Sequence, residues 1–206
     1  MSHYDDTKDS PEKAFVNRFL IAGWIKTLRT SNEIWLLDAN EMRTTRTLIE
    51  ENVDAKRIII VECRRDTFDE IRLNIAQDNA LRGVYVHYAN LFDVCRNICD
   101  DRDRRQIDVI YADLMQPQVE SDNFETILRV CKRTGVQLLC ITLCGRDFGG
   151  RKFKERLNAL RKAAERSGLF LGCRFVWGYR RSERSQPMFV IGLQRERCPT
   201  LRRIRE

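Results

Sequence analysis

Short apolar runs alternate with longer, charged segments of helical period from Ile34 to Gln194, and this alternation limits the possible folds more than any other feature of the chain. The runs predict strands at Ile34–Leu37, Arg57–Val61, Val84–His87, Ile107–Ala112, Gln137–Leu143, Leu169–Trp177 and Pro187–Gln194. The spacing between them predicts helices at Arg43–Glu51, Thr67–Asp78, Leu91–Asp100, Phe124–Thr134 and Lys152–Ser167. Strands that alternate with helices pair in parallel, and short strands without a polar face need cover on both sides. The end of the chain breaks the rule. In "LFLGCRFVWGYRRSERSQPMFVIGLQRE" only a polar turn separates two strands, which reads as a hairpin and so adds an antiparallel strand. The expected fold is α/β: a doubly wound, mostly parallel, seven-stranded sheet with a C-terminal antiparallel hairpin.

Ahead of this pattern, residues 1–10 read as disordered. "PEKAFVNRFLIAGWIKTLR" then begins a helix, with Ser10 at the N-cap and Pro11 at the first helical position. Phe15, Phe19, Leu20, Trp24 and Leu28 recur at helical spacing and define its buried face. The chain has 206 residues, enough for one sizeable core. Neither a repeat nor a linker interrupts it, so residues 11–196 read as one domain followed by a basic tail, 197–206. No apolar run approaches the roughly 20 residues that span a bilayer. The polar N-terminus lacks the apolar core of a signal peptide. Most of the eight cysteines lie in apolar stretches, which suits reduced, buried thiols and an intracellular protein, cytoplasmic or nuclear. Cys95-x3-Cys99 and Cys140-x3-Cys144 lack knuckle spacing, and only His3 and His87 could complete a set, so no metal site is expected.

Charge is divided unevenly. From Arg146 to Glu206 there are 17 Lys and Arg against 6 Asp and Glu; from Met1 to Gly145 there are 20 against 24. The net charge of +7 therefore resides in the last third. A one-sided basic surface rich in Arg suits a polyanion, nucleic acid first; a solvated helix face with a loose basic tail is the alternative. Two places carry the first reading. One is the glycine-rich loop and helix start "CGRDFGGRKFKERL", with Arg146, Arg151 and Lys152. Cations in a first helical turn oppose the dipole, at a few tenths of a kcal/mol to about 1 each. The other is the hairpin tip "WGYRRSERSQP", where Arg180, Arg181 and Arg184 interleave with Trp177 and Tyr179. A homo-oligomer or a protein partner also stays open.

In an open α/β sheet, ligands bind beyond the carboxyl ends of the strands. Acids or amides follow four of the first five strands there: Asp38 and Asn40, then Glu62 and Cys63, then Asn90 and Leu91, then Asp113. A carboxylate ending the second strand can accept both hydroxyls of a ribose. An amide such as Asn90 can read an adenine edge, Asp38 can hold an amino group, and Asp113 stands where a reacting group approaches. The turn "DANEMRTTR" after the first strand has no glycine. That absence disfavours a nicotinamide-dependent oxidoreductase, whose loop needs G-x-G-x-x-G.

This order resembles the class I S-adenosylmethionine-dependent methyltransferases over nearly the whole chain, from about Pro11 to Gln194. "IWLLDANEMRTTRTLIE" falls on that family's first motif and "IIIVECRRDTFDEIRLNI" on its second, with Glu62 matching the ribose-binding acid. "YANLFDV" matches the adenine segment and "IDVIYADLMQP" the fourth motif, whose acid is Asp113. The resemblance implies S-adenosylmethionine as cofactor, held by Asp38, Asn40, Glu62, Cys63, Asn90 and Leu91, with Asp113 catalytic. It also implies methyl transfer, with nucleic acid the expected substrate. The chain departs from the pattern at the glycines, replaced by Asn40, Glu41 and Met42, and at the fourth motif, which reads Asp113-Leu-Met-Gln-Pro. An acid followed by Thr-Thr-Arg is similar to divergent viral and phage proteins of this type. A methyltransferase fold without catalysis, serving as a nucleic-acid-binding or assembly component, is the competing expectation. In the first motif, Asn40 is expected to take the left-handed turn and Glu41 and Met42 to crowd it.

Overall fold

The computed structural model describes residues 14–28, 31–100, 105–113, 122–144, 151–179 and 188–195. The expected α/β architecture is present, with every strand and every inter-strand helix within two residues of its predicted ends. The strands are β1 (Glu33–Leu36), β2 (Ile58–Glu62), β3 (Tyr85–Tyr88), β4 (Ile107–Asp113), β5 (Leu138–Cys144), β6 (Phe170–Tyr179) and β7 (Met188–Gln194). Helix α1 (Gly23–Thr27) precedes them; α2 (Arg43–Glu50), α3 (Arg65–Gln77), α4 (Leu91–Asp100), α5 (Asp122–Thr134) and α6 (Arg151–Arg166) lie between them.

The strands form one sheet in the order β3-β2-β1-β4-β5-β7-β6. All run parallel except β7, which is antiparallel to both β5 and β6. The final hairpin therefore folds back so that its second strand, β7, slots against β5. The order turns around between β1 and β4, and that switch point opens a crevice at the carboxyl end of the sheet.

Period-two alternation splits the core between the two faces. Ile34, Leu36, Ile58, Ile60, Val109 and Tyr111 pack beneath the N-terminal helix, α2 and α3. Trp35, Ile59, Val61, Ile110, Ala112 and Ile141 pack beneath α4, α5 and α6. Burial of each such side chain stabilises by about 1.5–3 kcal/mol, which is why the strands read as continuous apolar runs.

One residue breaks the alternation. Between Glu33 and Ile34 the β1–β4 register skips from Ile107 to Val109, so Asp108 is the extra residue of a bulge. Its buried carboxylate accepts from the Asn32 backbone N–H at 2.7 Å and side-chain amide at 3.0 Å, with the Arg57 guanidinium 3.5 Å away. Arg57 also donates to the Asn32 carbonyl at 2.9 Å. The knot ties β1, β2 and β4 together at their amino ends, far from the crevice.

The N-terminal helix departs from expectation. Val16–Ala22 is π-helical before it continues as α1. A wider turn rotates the buried face: Val16, Asn17, Ile21 and Ala22 are inside, at five-residue spacing, while Phe15 and Phe19 are exposed. The two displaced phenylalanines stack on each other, ring centroids 4.9 Å apart. Arg18 and Lys26 pair with Glu50 and Glu51 and clamp this helix to the end of α2.

Candidate functional site

Register brings the candidate acids to one level. Leu36 of β1 stands opposite Ile60 of β2 and Tyr111 of β4. Asp38, Glu62 and Asp113 each lie two residues past that row, on adjacent strands spaced about 4.8 Å apart. Glu62 stands opposite Tyr88, the last residue of β3, and Asn90 follows two residues beyond that row. Side chains drawn from four separate sequence segments thus stand at or just past the carboxyl edge of the sheet. Asp38, Asn40, Glu62 and Asp113 are partly buried, while Cys63 and Asn90 are exposed. The Leu91 side chain turns away from the sheet edge: it is 6% exposed and packs with Val94, Cys95 and Ile98 in the core beneath α4. As the first residue of an amphipathic helix, it turns inward.

The glycine-free loop is ordered by its own side chains. The Asp38 carboxylate accepts from the Thr45 N–H and hydroxyl, both at 2.8 Å, and from the Ala39 N–H at 3.1 Å. An acid holding N–H groups in the first turn of α2 satisfies donors the helix cannot and complements its dipole. The left-handed residue is Met42, at φ 53° and ψ 38°, rather than Asn40. That conformation costs a side-chain-bearing residue about 1–2 kcal/mol. Met42 is fully buried beneath α2, so its side chain fills the core instead of projecting from the loop. The crowding expected of it does not occur. Asn40 is bound to α3 instead: its amide donates to Glu70 at 2.7 Å and its carbonyl accepts from Asn74 at 2.7 Å. Glu41 pairs with Arg43 at 2.9 Å, and Arg46 pairs with Asp78 beyond the end of α3. The Arg46 guanidinium, and then the Ala80 N–H, hold the Asp78 carboxyl below the usual Asp range.

The other candidates also have local work. Glu62 accepts from the Arg64 N–H at 2.6 Å, which bends the chain after β2. Asn90 caps α4 by accepting from the Phe92 N–H at 2.9 Å. Asp113 lies at the end of β4 opposite Thr142, whose buried hydroxyl meets the Tyr111 hydroxyl at 3.3 Å. Thr45, Glu70 and Asn74 escaped the sequence reading. Only Thr45 left a trace there, as a hydroxyl in the first turn after an acid-ended strand.

Of the basic residues expected to hold nucleic acid, Arg146, Arg180, Arg181 and Arg184 lie outside the described residues. Arg151 and Lys152 open α6, with their side chains outside what is described. Residues 1–10 and 197–206 also lie outside it. Arg195, counted in the basic third, is structural: it donates to the carbonyls of Val136 at 3.0 Å and Cys131 at 2.6 Å, at the end of α5. Among the described residues no group of His, Cys, Asp and Glu could hold a metal ion. None of their helices is long and apolar enough to cross a membrane. Cys95, Cys131 and Cys140 are buried, and burial pushes the Cys95 thiol up to about 12, so it is inert as a nucleophile at neutral pH.

No family model and no curated protein matches the chain. Its fold does match solved structures. The O-methyltransferase from Bacillus cereus in complex with S-adenosylhomocysteine is similar at TM-score 0.62 and 14% identity, over 92% of this chain and 83% of that one. The O-methyltransferase TomG from Streptomyces achromogenes, solved with S-adenosylmethionine, gives 0.61 and 12%, over 93% and 83%. TrmK from M. capricolum, in complex with S-adenosylhomocysteine, gives 0.56 and 12%, over 86% and 69%. By strand order, by the lone antiparallel strand and by these likenesses, the chain has the fold of the class I S-adenosylmethionine-dependent methyltransferases.

Proposed function

We propose that the chain binds S-adenosylmethionine in the crevice between β1 and β4 and transfers its methyl group to a nucleic acid. The row of Asp38, Glu62 and Asp113 at the switch point is the observation that carries this reading. The fit of the cofactor is supported by Met42, whose side chain lies in the core and does not project from the glycine-free loop. Glu62 would hold the ribose, Cys63 would lie against the adenine and Asn90 would meet its edge. Asp38 would act through the loop it secures, keeping the N–H groups after β1 turned toward the cofactor. Bound S-adenosylmethionine supplies an electrophilic methyl group on a cationic sulfur. Asp113 would orient the acceptor and take its proton, and alignment in a dry crevice supplies most of the remaining acceleration. The basic last third of the chain supports a nucleic-acid acceptor. A Streptococcus pneumoniae structure described as a proposed tRNA (m1A22) methyltransferase, similar at TM-score 0.58 and 13% identity, points the same way.

Calorimetric titration with S-adenosylmethionine tests the reading. Saturable heat is expected, with Glu62→Ala weakening binding about 10- to 100-fold, as for loss of a charged hydrogen bond. A folded protein that gives no heat at about 1 mM ligand sinks it.

A second reading has its own observation. Asp38, Asn40, Glu62 and Asn90 all make hydrogen bonds within the chain. A methyltransferase fold retained as a nucleic-acid-binding component would use them in this way alone. That reading predicts salt-dependent oligonucleotide binding that survives Glu62→Ala and weakens when Arg180, Arg181 and Arg184 are neutralised together.

A further inference from the structure

The outer edge of the sheet carries a feature that the crevice does not use. Leu73, Tyr85 and Tyr88 are 56%, 58% and 47% exposed, and all three lie on α3 and β3. β3 is an outermost strand of the sheet. Its two faces differ. Tyr88 packs against Phe68 of α3, ring centroids 5.1 Å apart, and Val86 leans on the core beneath α3. Tyr85 and His87 point to the other face, where the core beneath α4 includes no side chain of β3. Their rings lie nearly parallel, centroids 6.3 Å apart and planes 27° apart.

Cations lie on the α3 face of the same edge, over the Tyr88 and Phe68 rings. The Arg65 guanidinium lies 5.4 Å from the Tyr88 ring and 5.6 Å from Phe68, and Arg72 lies 5.7 Å from Phe68. Arg65 also pairs with Asp69. Arg72, Arg82 and Lys56 have no ion-pair partner among the described residues. The Lys56 stem crosses the chain at Gly83, whose φ of 111° suits glycine and where an added Cβ would meet Lys56 Cγ at 2.9 Å. Lys56 and Arg82 thus stand at the amino end of β3, the stacked rings along it, and Arg65 at the carboxyl end, level with Glu62. The track is about 13 Å long.

An exposed tyrosine stacked on a half-buried histidine, on an edge whose amino end and α3 side carry cations without carboxylate partners, matches unpaired bases and phosphates. A protein interface core is instead depleted of charge, and a duplex offers no base face to stack. We propose that the β3 edge is a platform for single-stranded nucleic acid. Tyr85 and His87 stack on a base, Lys56, Arg72 and Arg82 hold the backbone, and the strand is led toward the crevice. The proposal rests only on the nucleic-acid half of the reading above.

The test is anisotropy of the full-length protein with labelled single-stranded oligouridine and oligothymidine of about 12 nucleotides. Tyr85→Ala with His87→Ala is expected to weaken binding about tenfold or more at unchanged melting temperature, and Tyr85→Phe to retain it. Arg72→Ala with Arg82→Ala is expected to lower the salt slope by about 1–2. Cofactor heat is expected to be unchanged in both double variants. The two oligonucleotides decide whether the sugar matters. The proposal fails if the parent binds neither, or if the Tyr85 and His87 variant binds as the parent does. It fails too if that variant only converts a dimer to a monomer in light scattering, which would make the edge a protein contact. Stacking-dependent binding without cofactor heat overturns the methyltransferase reading alone; cofactor heat without stacking-dependent binding overturns the platform alone.

Discussion

At the scale of single residues, the loop after β1 shows how one fold can lose its glycines. Met42 adopts the left-handed conformation and recovers its cost by burial. Met42→Gly would relieve about 1–2 kcal/mol of backbone strain but remove a buried side chain worth about 2–5 kcal/mol. A net loss of about 1–3 kcal/mol is expected in urea unfolding, although the change restores a glycine of the family pattern. Asp38 is expected to matter chiefly for the same loop. Asp38→Ala leaves the Thr45 and Ala39 N–H groups without their acceptor and should cost about 1–2 kcal/mol, as for loss of an N-cap. A loss of cofactor binding in that variant is therefore interpretable only beside its unfolding curve.

At the scale of elements, loop, α2 and α3 form one unit through Asn40, Glu70, Asn74, Arg46 and Asp78. The Asp78 carboxyl is held below its ordinary value of 3.8, chiefly by its hydrogen bond to Arg46. A carboxyl depressed in the folded state contributes stability that is complete above its unfolded value and lost as pH falls through the lower folded value. The melting-temperature gap between the parent and Asp78→Asn should therefore hold from neutral pH down to about pH 4 and close below it. A gap that stayed constant to about pH 2 would show that the pair does not act through the charged carboxylate. The N-terminal helix teaches a different lesson. A 3.6-residue period assigned Phe15 and Phe19 to its buried face, whereas the π-turn exposes both and buries Asn17. Periodicity assumes the hydrogen-bond register that it is used to detect.

At the scale of the whole molecule, polar residues at the two ends of the sheet have separate tasks. The Asp108, Asn32 and Arg57 knot joins three strands at the amino ends, and the Asp38, Glu62 and Asp113 row lies at the carboxyl ends. Asp108→Ala leaves buried partners unpaired and should cost about 2–4 kcal/mol while leaving cofactor affinity unchanged in the folded fraction. Glu62→Ala should do the reverse, with less than about 1 kcal/mol of stability lost. Paired denaturation and calorimetry on both variants check the division; equal effects on both readouts would refute it.

The sequence alone determined the strand and helix content, the parallel sheet with one late hairpin, and the four acids and amides past the strands. These are local properties: an apolar run buried on both faces, or a helix buried on one, writes its period directly into the chain. Tertiary structure alone decided the rest. That β7 slots between β5 and β6, that Met42 rather than Asn40 takes the left-handed turn, and that Leu91 serves the core depend on packing partners distant in sequence. So does the β3 edge. Tyr85, His87 and Arg72 look ordinary in sequence and become a surface only because, among the described residues, no strand lies beyond β3 and the core on one of its faces stops at β2.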